Sequence, residues 1–180
     1  IDGVIDEGHE VAKVISMPSE YLPENSVDVR DFCIRRKIDY FETEDLNADE
    51  CVAMLKSIAP DCILSTWPKI ISESVLELPK RLTIGTHPTP LPMNQGRHPL
   101  HWMIVLGLSN TLLSFFAMDE GIDTGNILYQ VPFSISNRSI PHALKEMCTA
   151  GYQGTRELLQ LLENNSSYEG VKQTKNFQNY

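Results

Sequence analysis

The stretch "RLTIGTHPTPLPMNQGRHP", residues 81–99, starts as a short apolar run and changes character at His87. Leu82 to Thr86 has the β-branched, bounded pattern of a strand. Pro88, Pro90 and Pro92 cannot continue it, because each fixes φ near −65° and lacks an N–H. His87 therefore leaves a strand end into a stiff loop. Beyond the Gly96-Arg97 turn, Pro99 suits the first position of a helix over Pro99 to Leu106.

Working back toward the N-terminus, strand and helix signals alternate. Val11 to Met17 is a buried-strand run stopped by Pro18, and residues 19–25 read as loop. Ser26 is placed to cap a helix that carries Val27, Phe32 and Ile34 and ends in Arg35, Arg36 and Lys37, where cations favour the helix dipole. A strand at Ile38–Phe41 follows. Asp45 or Asn47 is placed to cap a helix over Ala48–Ile58, with Cys51, Val52, Leu55 and Ile58 on one face before Pro60. Next come a strand at Asp61–Ser65 and a short helix at Ser72–Leu78. The order βαβαβαβ predicts an α/β fold, a mostly parallel sheet with helices on both faces. In such sheets ligands collect beyond the carboxyl ends of strands, which is where His87 stands.

Toward the C-terminus the pattern predicts a strand at Thr111–Met118 and a polar turn with Gly121, Asp123 and Gly125. A strand at Ile127–Phe133 and a long helix at Ile140–Glu163 follow. Ile140, Leu144, Met147, Tyr152, Leu158 and Leu162 recur on that helix at helical spacing. Residues 1–163 read as one domain and 164–180 as a polar tail expected to pack loosely. The opening Ile1-Asp2-Gly3-Val4-Ile5 looks like the second half of a helix, so an N-terminal strand is expected to be missing ahead of it.

With 180 residues and 42% hydrophobic content the chain is long enough for one substantial core. A formal net charge of −9 disfavours a nucleic-acid partner, because no Lys/Arg cluster offsets it. No apolar run reaches the length of a membrane helix, and no signal-peptide pattern opens the chain. Cys33, Cys51, Cys62 and Cys148 show no C-x-x-C spacing and read as small buried thiols, which suits a reducing cytoplasm.

The chemistry-bearing elements are His87 and the turn "MDEGIDTG", residues 118–125. Taken singly, a loop histidine is ordinary and the turn is ordinary. Together, an acid on a glycine-flanked turn is placed to orient an imidazole. His98 and His101 stand three apart, but no Cys or carboxylate set completes a metal site.

"IGTHPTPLP", a Gly-Arg turn, a helix carrying Trp102 and then "MDEGIDTG" resemble the formyltetrahydrofolate-dependent formyltransferases, most of all those that act on nucleotide-linked amino sugars. The resemblance spans roughly residues 1–163. His87 and Asp123 are separated by the family's 36 positions (87 to 123). It implies the Rossmann-like N-terminal domain of that family, with 10-formyltetrahydrofolate as formyl donor. His87 and Asp123 are then the catalytic pair: His87 stabilises the charge that develops on the formyl oxygen, and Asp123 orients it and accepts the proton that the attacking amine loses. Trp67, Pro68, Lys69 and Ile70, with the backbone of Met118, Asp119, Glu120 and Gly121, match the pterin pocket; core packing is the other reading of Trp67.

One position departs from the family. Where its members carry an Asn two residues before the histidine, this chain has Gly85. Either Asn94 or a backbone N–H is the substitute donor or acyl transfer is slower, and Arg97 is the candidate phosphate contact. The implied partners are small molecules, a folate and a sugar nucleotide, with neither nucleic acid nor membrane. Segments outside the sequence leave room for nucleotide contacts or a homodimer interface. The acceptor also has alternatives in glycinamide ribonucleotide, Met-tRNA and, for a hydrolytic relative, water. A non-catalytic binding module on the same fold is the competing class.

Overall fold

A computed structural model describes residues 1–22, 26–136 and 139–174. Among them the chain runs α1 (Asp2–Asp6), β1 (Val14–Ser16), a 3-10 turn (Ser19–Tyr21), α2 (Arg30–Arg36), β2 (Tyr40–Glu42), α3 (Asp49–Ile58), β3 (Cys62–Ser65), α4 (Glu73–Leu76), β4 (Leu82–His87), α5 (Pro99–Val105), β5 (Asn110–Ala117), β6 (Ile127–Ser134) and α6 (Ile140–Asn164). The expected alternation is present. β1 pairs with β2 in parallel, and β3 with β4 in parallel. β5 and β6 then add in antiparallel register, giving the order β3-β4-β5-β6.

Two apolar clusters flank this sheet. Ile84, Met103, Leu113, Phe115, Leu128 and Val131 pack under α5 and α6. Cys51, Leu55, Ile71 and Val75 of α3, α4 and the turn before α4 form the second cluster, which also receives Trp67 and Met118. Gly154 lets α6 lie close on the sheet: a Cβ there would stand 2.4 Å from Phe115 Cε2 and 2.7 Å from Val131 Cγ2. A cleft of about 980 Å³ separates the two strand groups, lined on one side by Val14, Ile15 and Ser16 and on the other by Cys62, Ile63, Leu64 and Ser65.

Several local expectations are corrected. Helix α2 starts at Arg30 and not after Ser26, because the Asp28 carboxylate takes the Arg30 N–H at 2.8 Å and closes a turn there. Neither Asp45 nor Asn47 caps α3. Asn47 instead accepts the Ser72 N–H at 2.7 Å and donates to the Ile70 carbonyl at 3.1 Å, tying two loops together. Cys33 and Cys51 are buried, whereas Cys148 is exposed.

The tail does not pack loosely over its described part. Arg81 donates to the carbonyls of Leu162, Asn165 and Ser166 at 2.9–3.2 Å, capping the end of α6 with a cation. Ile127 and Val171 exchange both backbone hydrogen bonds at 2.8 Å. Residues 175–180 of that tail, like 23–25 of the loop before α2, lie outside the described residues. No helix among the described residues is long and apolar enough to cross a membrane.

Candidate active site

His87 is the last residue of β4 and pairs across the sheet with Ser114 of β5. Its side chain is buried, at 7% exposure. Nε2 lies 2.8 Å from the Asn94 carbonyl oxygen. A carbonyl only accepts, so Nε2 carries a proton. Nδ1 faces Asp123 Oδ2 at 3.4 Å. Asp123 Oδ2 also accepts the Gly96 N–H at 2.9 Å. The loop that follows the histidine thus bends back over the pair, contributing a carbonyl to one partner and an N–H to the other. That path needs left-handed backbone at Asn94 (φ 56), Gly96 (φ 97) and His98 (φ 59).

The prolines are only part of what stiffens this loop. Ser114, fully buried on β5, donates to the Thr89 carbonyl at 2.5 Å and accepts the Leu91 N–H at 3.2 Å. Gln130 of β6 reaches across to Ser114 Oγ at 2.8 Å and to the Leu91 carbonyl at 3.2 Å. Thr89 closes the turn on the Met93 carbonyl at 2.7 Å, and the Leu91–Pro92 peptide is cis. An isolated Ser or Gln within a strand pattern carries no sequence signal for such a role, and neither was foreseen.

The acidic turn is built around Asp119. Its Oδ1 accepts the Gly121 N–H at 3.0 Å and the Thr124 hydroxyl at 2.7 Å. At Gly125 a Cβ would stand 1.7 Å from the Ala117 carbonyl oxygen, so only glycine allows the chain to double back there. Met118 is anchored by its N–H to the Thr83 carbonyl at 2.8 Å. Glu120 sits beside Glu73, whose pKa is raised above the usual carboxylate range by the shared hydrogen bond and like charge.

The candidate pterin residues divide. Trp67 and Met118 pack against one cluster, and Trp67 Nε1 is buried without a partner among the described residues. An unpaired buried donor in an apolar slot fits a flat heteroaromatic bearing acceptors. Pro68, Lys69 and Ile70 are exposed, and Lys69 Nζ is tied to the Glu44 carbonyl at 2.8 Å. Asn94 meets His87 through its backbone carbonyl, and Arg97 is exposed. The cleft between the strand groups includes Trp67 and Pro68 but neither His87 nor Asp123.

Gly85 is explained by its neighbours. A Cβ at this position would lie 2.7 Å from Phe116 Cζ and 3.0 Å from Met118 Cγ. The Phe116 ring takes the space that an Asn side chain needs. Among the described residues no group of three His, Cys, Asp or Glu could hold a metal ion, and the His98 and His101 rings meet edge-on at 5.9 Å.

A strand-end histidine, a turn aspartate against it and a folded-back loop form a candidate site at the mouth of an α/β sheet. The family model "Formyl transferase" matches residues 4–150, and the chain belongs to that family. Among curated proteins it is 26% identical over 180 residues to a methionyl-tRNA formyltransferase of Clostridioides difficile, covering 97% of this chain and 58% of that protein. It is 28% identical over 181 residues to the bifunctional polymyxin resistance protein ArnA of Wigglesworthia glossinidia brevipalpis, covering 98% of this chain and 28% of that protein. The chain thus spans little more than half the length of its methionyl-tRNA formyltransferase relative. The phosphoribosylglycinamide formyltransferase structure from Bacillus halodurans superposes with TM-score 0.73 at 21% identity, covering 93% of this chain and 92% of that one. That likeness shows the fold.

Proposed function

We propose that this chain transfers a formyl group from 10-formyltetrahydrofolate to the amine of a nucleotide-linked amino sugar, with His87 and Asp123 as the catalytic pair. The observation that carries the reading is the approach of His87 Nδ1 to Asp123 Oδ2 at 3.4 Å, at a strand mouth. The bound folate supplies an activated formyl carbon, and Trp67 with the backbone of Met118–Gly121 holds its ring. The His87 Nε2–H, which in this structure is directed to the Asn94 carbonyl, turns to the formyl oxygen as charge develops on it. One such donor contributes roughly 3 kcal/mol to the transition state. Asp123 keeps the imidazole oriented and takes the proton released when the acceptor's nitrogen forms its bond to the formyl carbon; that proton passes to the folate nitrogen as its own bond to the formyl carbon breaks, and tetrahydrofolate leaves. With the Asn position filled by Phe116, His87 supplies the side-chain hydrogen bond to that oxygen without a second amide.

The acceptor assignment rests on the acidic balance of the chain, net −9, and on the likeness to ArnA together with the motif wording. A second reading, Met-tRNA, is supported by the methionyl-tRNA formyltransferases among its relatives. The test gives the full-length protein 10-formyltetrahydrofolate with UDP-, dTDP-, GDP- and CMP-linked amino sugars, glycinamide ribonucleotide and Met-tRNA, and reads products by mass. One formyl added to an amino sugar, absent with Asp123→Asn, supports the proposal. Formylation of Met-tRNA alone replaces the acceptor, and folate deformylation with no acceptor modified replaces the transfer.

A further inference from the structure

We propose that Gln173, acting with Gln95, is a positioning residue for Asp123; this rests on reading His87 and Asp123 as the catalytic pair. Asp123 is a non-glycine residue in the left-handed region, at φ 56. Such a conformation persists where surrounding groups fix it. Here its carbonyl oxygen accepts from Gln95 Nε2 at 2.9 Å and from Gln173 Nε2 at 2.8 Å. Gln173 spends its second amide hydrogen on the Gly125 carbonyl at 2.7 Å, and Gln95 spends its own on Gln173 Oε1 at 3.2 Å. The Asp123 and Gly125 oxygens only accept, so both side-chain amides must present nitrogen to them. All four amide hydrogens are then engaged: two backbone carbonyls fix the Gln173 amide, and the Asp123 carbonyl with Gln173 Oε1 fixes that of Gln95.

The clamp joins three segments that are distant in sequence. Gln95 belongs to the loop that follows His87, directly before Gly96, whose N–H holds the Asp123 carboxylate. Gln173 arrives from the chain beyond α6. That segment is delivered by the Tyr168 hydroxyl on the Leu128 carbonyl at 2.9 Å, Asn126 Nδ2 on the Glu169 carbonyl at 2.9 Å, and the paired Ile127–Val171 bonds. At Gly170, φ is 80 and a Cβ would stand 2.5 Å from the Ile127 oxygen, so a larger residue would lift the segment away. Neither glutamine touches the reacting atoms. Their effect reaches the chemistry through the carbonyl end of Asp123, opposite the carboxylate that faces His87.

The test uses Gln173→Met, which keeps length and bulk without the donors, alongside Gln95→Met, in the full-length protein. Misplacing a catalytic group by about 1 Å costs on the order of 100-fold, so Gln173→Met should lower kcat by roughly 10- to 100-fold with KM for both substrates nearly unchanged. Placed on top of Asp123→Asn, it should lower kcat no further, because a residue acting through Asp123 has nothing left to position. Independently of turnover, the Gly96 amide, followed by NMR, should lose its hydrogen-bonded shift and exchange faster in both Met variants. An unchanged kcat, a full additional loss in the Asp123→Asn background, or an unaltered Gly96 amide overturns the clamp. A wild-type protein that transfers no formyl group defeats the catalytic reading instead, and the Gly96 amide still decides whether the glutamines hold Asp123.

Discussion

Strands β3 to β6 form a continuous hydrogen-bonded sheet under a 25-residue helix, whereas among the described residues β1 and β2 pair with each other alone and face the rest of the sheet across a cleft of about 980 Å³. The first region buries Phe115, Ile84 and Leu128 almost completely. In the second, each strand is three residues long, and ion pairs link its surface side chains, Lys13 with Asp39 and Arg36 with Asp2 at 3.0 Å and Arg30 with Glu42. Exposed pairs of that kind contribute about 0–1 kcal/mol each. The difference shows where precision is needed. His87, Ser114, Gln130 and Asp123 all sit on or beside the continuous region, whose packing and hydrogen bonds hold them in register.

The comparison predicts unequal costs for equal damage. Leu128→Ala, in the continuous region, should destabilise the protein by about 4 kcal/mol, while Leu55→Ala, whose site already borders the cleft, should cost about 2 kcal/mol. Urea unfolding measures both, and a larger loss at Leu55 would erase the distinction. Next in size is Gly85→Asn. Forcing a side chain against Phe116 should cost about 1–3 kcal/mol. It should not raise the transfer rate; combined with Phe116→Ala, the two losses should fall short of additive in the same unfolding assay. An accelerated single variant would show that the space beside His87 is free after all.

The smallest effect concerns Glu73, whose carboxyl is held above its ordinary range by Glu120 and then by Glu77. A carboxyl raised in the folded state binds protons more tightly there than in the unfolded chain. Its contribution is therefore most favourable below the unfolded pKa and declines as pH rises through the folded one. Glu73→Gln should raise the thermal midpoint at pH 7 relative to wild type and lose that advantage by about pH 4, the region of ordinary carboxylate titration. A constant difference across that range would place the two carboxyls apart.

The alternation of strands and helices was legible because hydrophobic periodicity and proline stops are local signals. His87 and Asp123 were legible as a pair through motif wording and separation. Phe116 against Gly85 was not, since nothing in "SFFAMDEG" (114–121) tells which ring crosses to the neighbouring strand. Ser114, Gln130, Gln95 and Gln173 escaped for a related reason: each acts through a backbone group far away in sequence. The tail's polar composition predicts loose packing, yet its described part is held to β6 by the Ile127–Val171 backbone bonds and its start is held by the Arg81 guanidinium ahead of β4, to which composition is blind. Ser26 lies four residues ahead of Arg30: Asp28 accepts the Arg30 N–H in a turn, and Val29 takes the N-cap position with no side-chain bond.

The central claim is that His87 and Asp123 act as one unit in formyl transfer. The most direct measurement is the single-turnover rate of formyl transfer for His87→Gln, Asp123→Asn and the double variant, each at saturating donor and acceptor. Each single change should slow the step by roughly 100- to 10,000-fold, and the double variant should be no slower than the worse single one. Losses that multiply in the double variant, or a single variant that keeps the wild-type rate, would contradict the account.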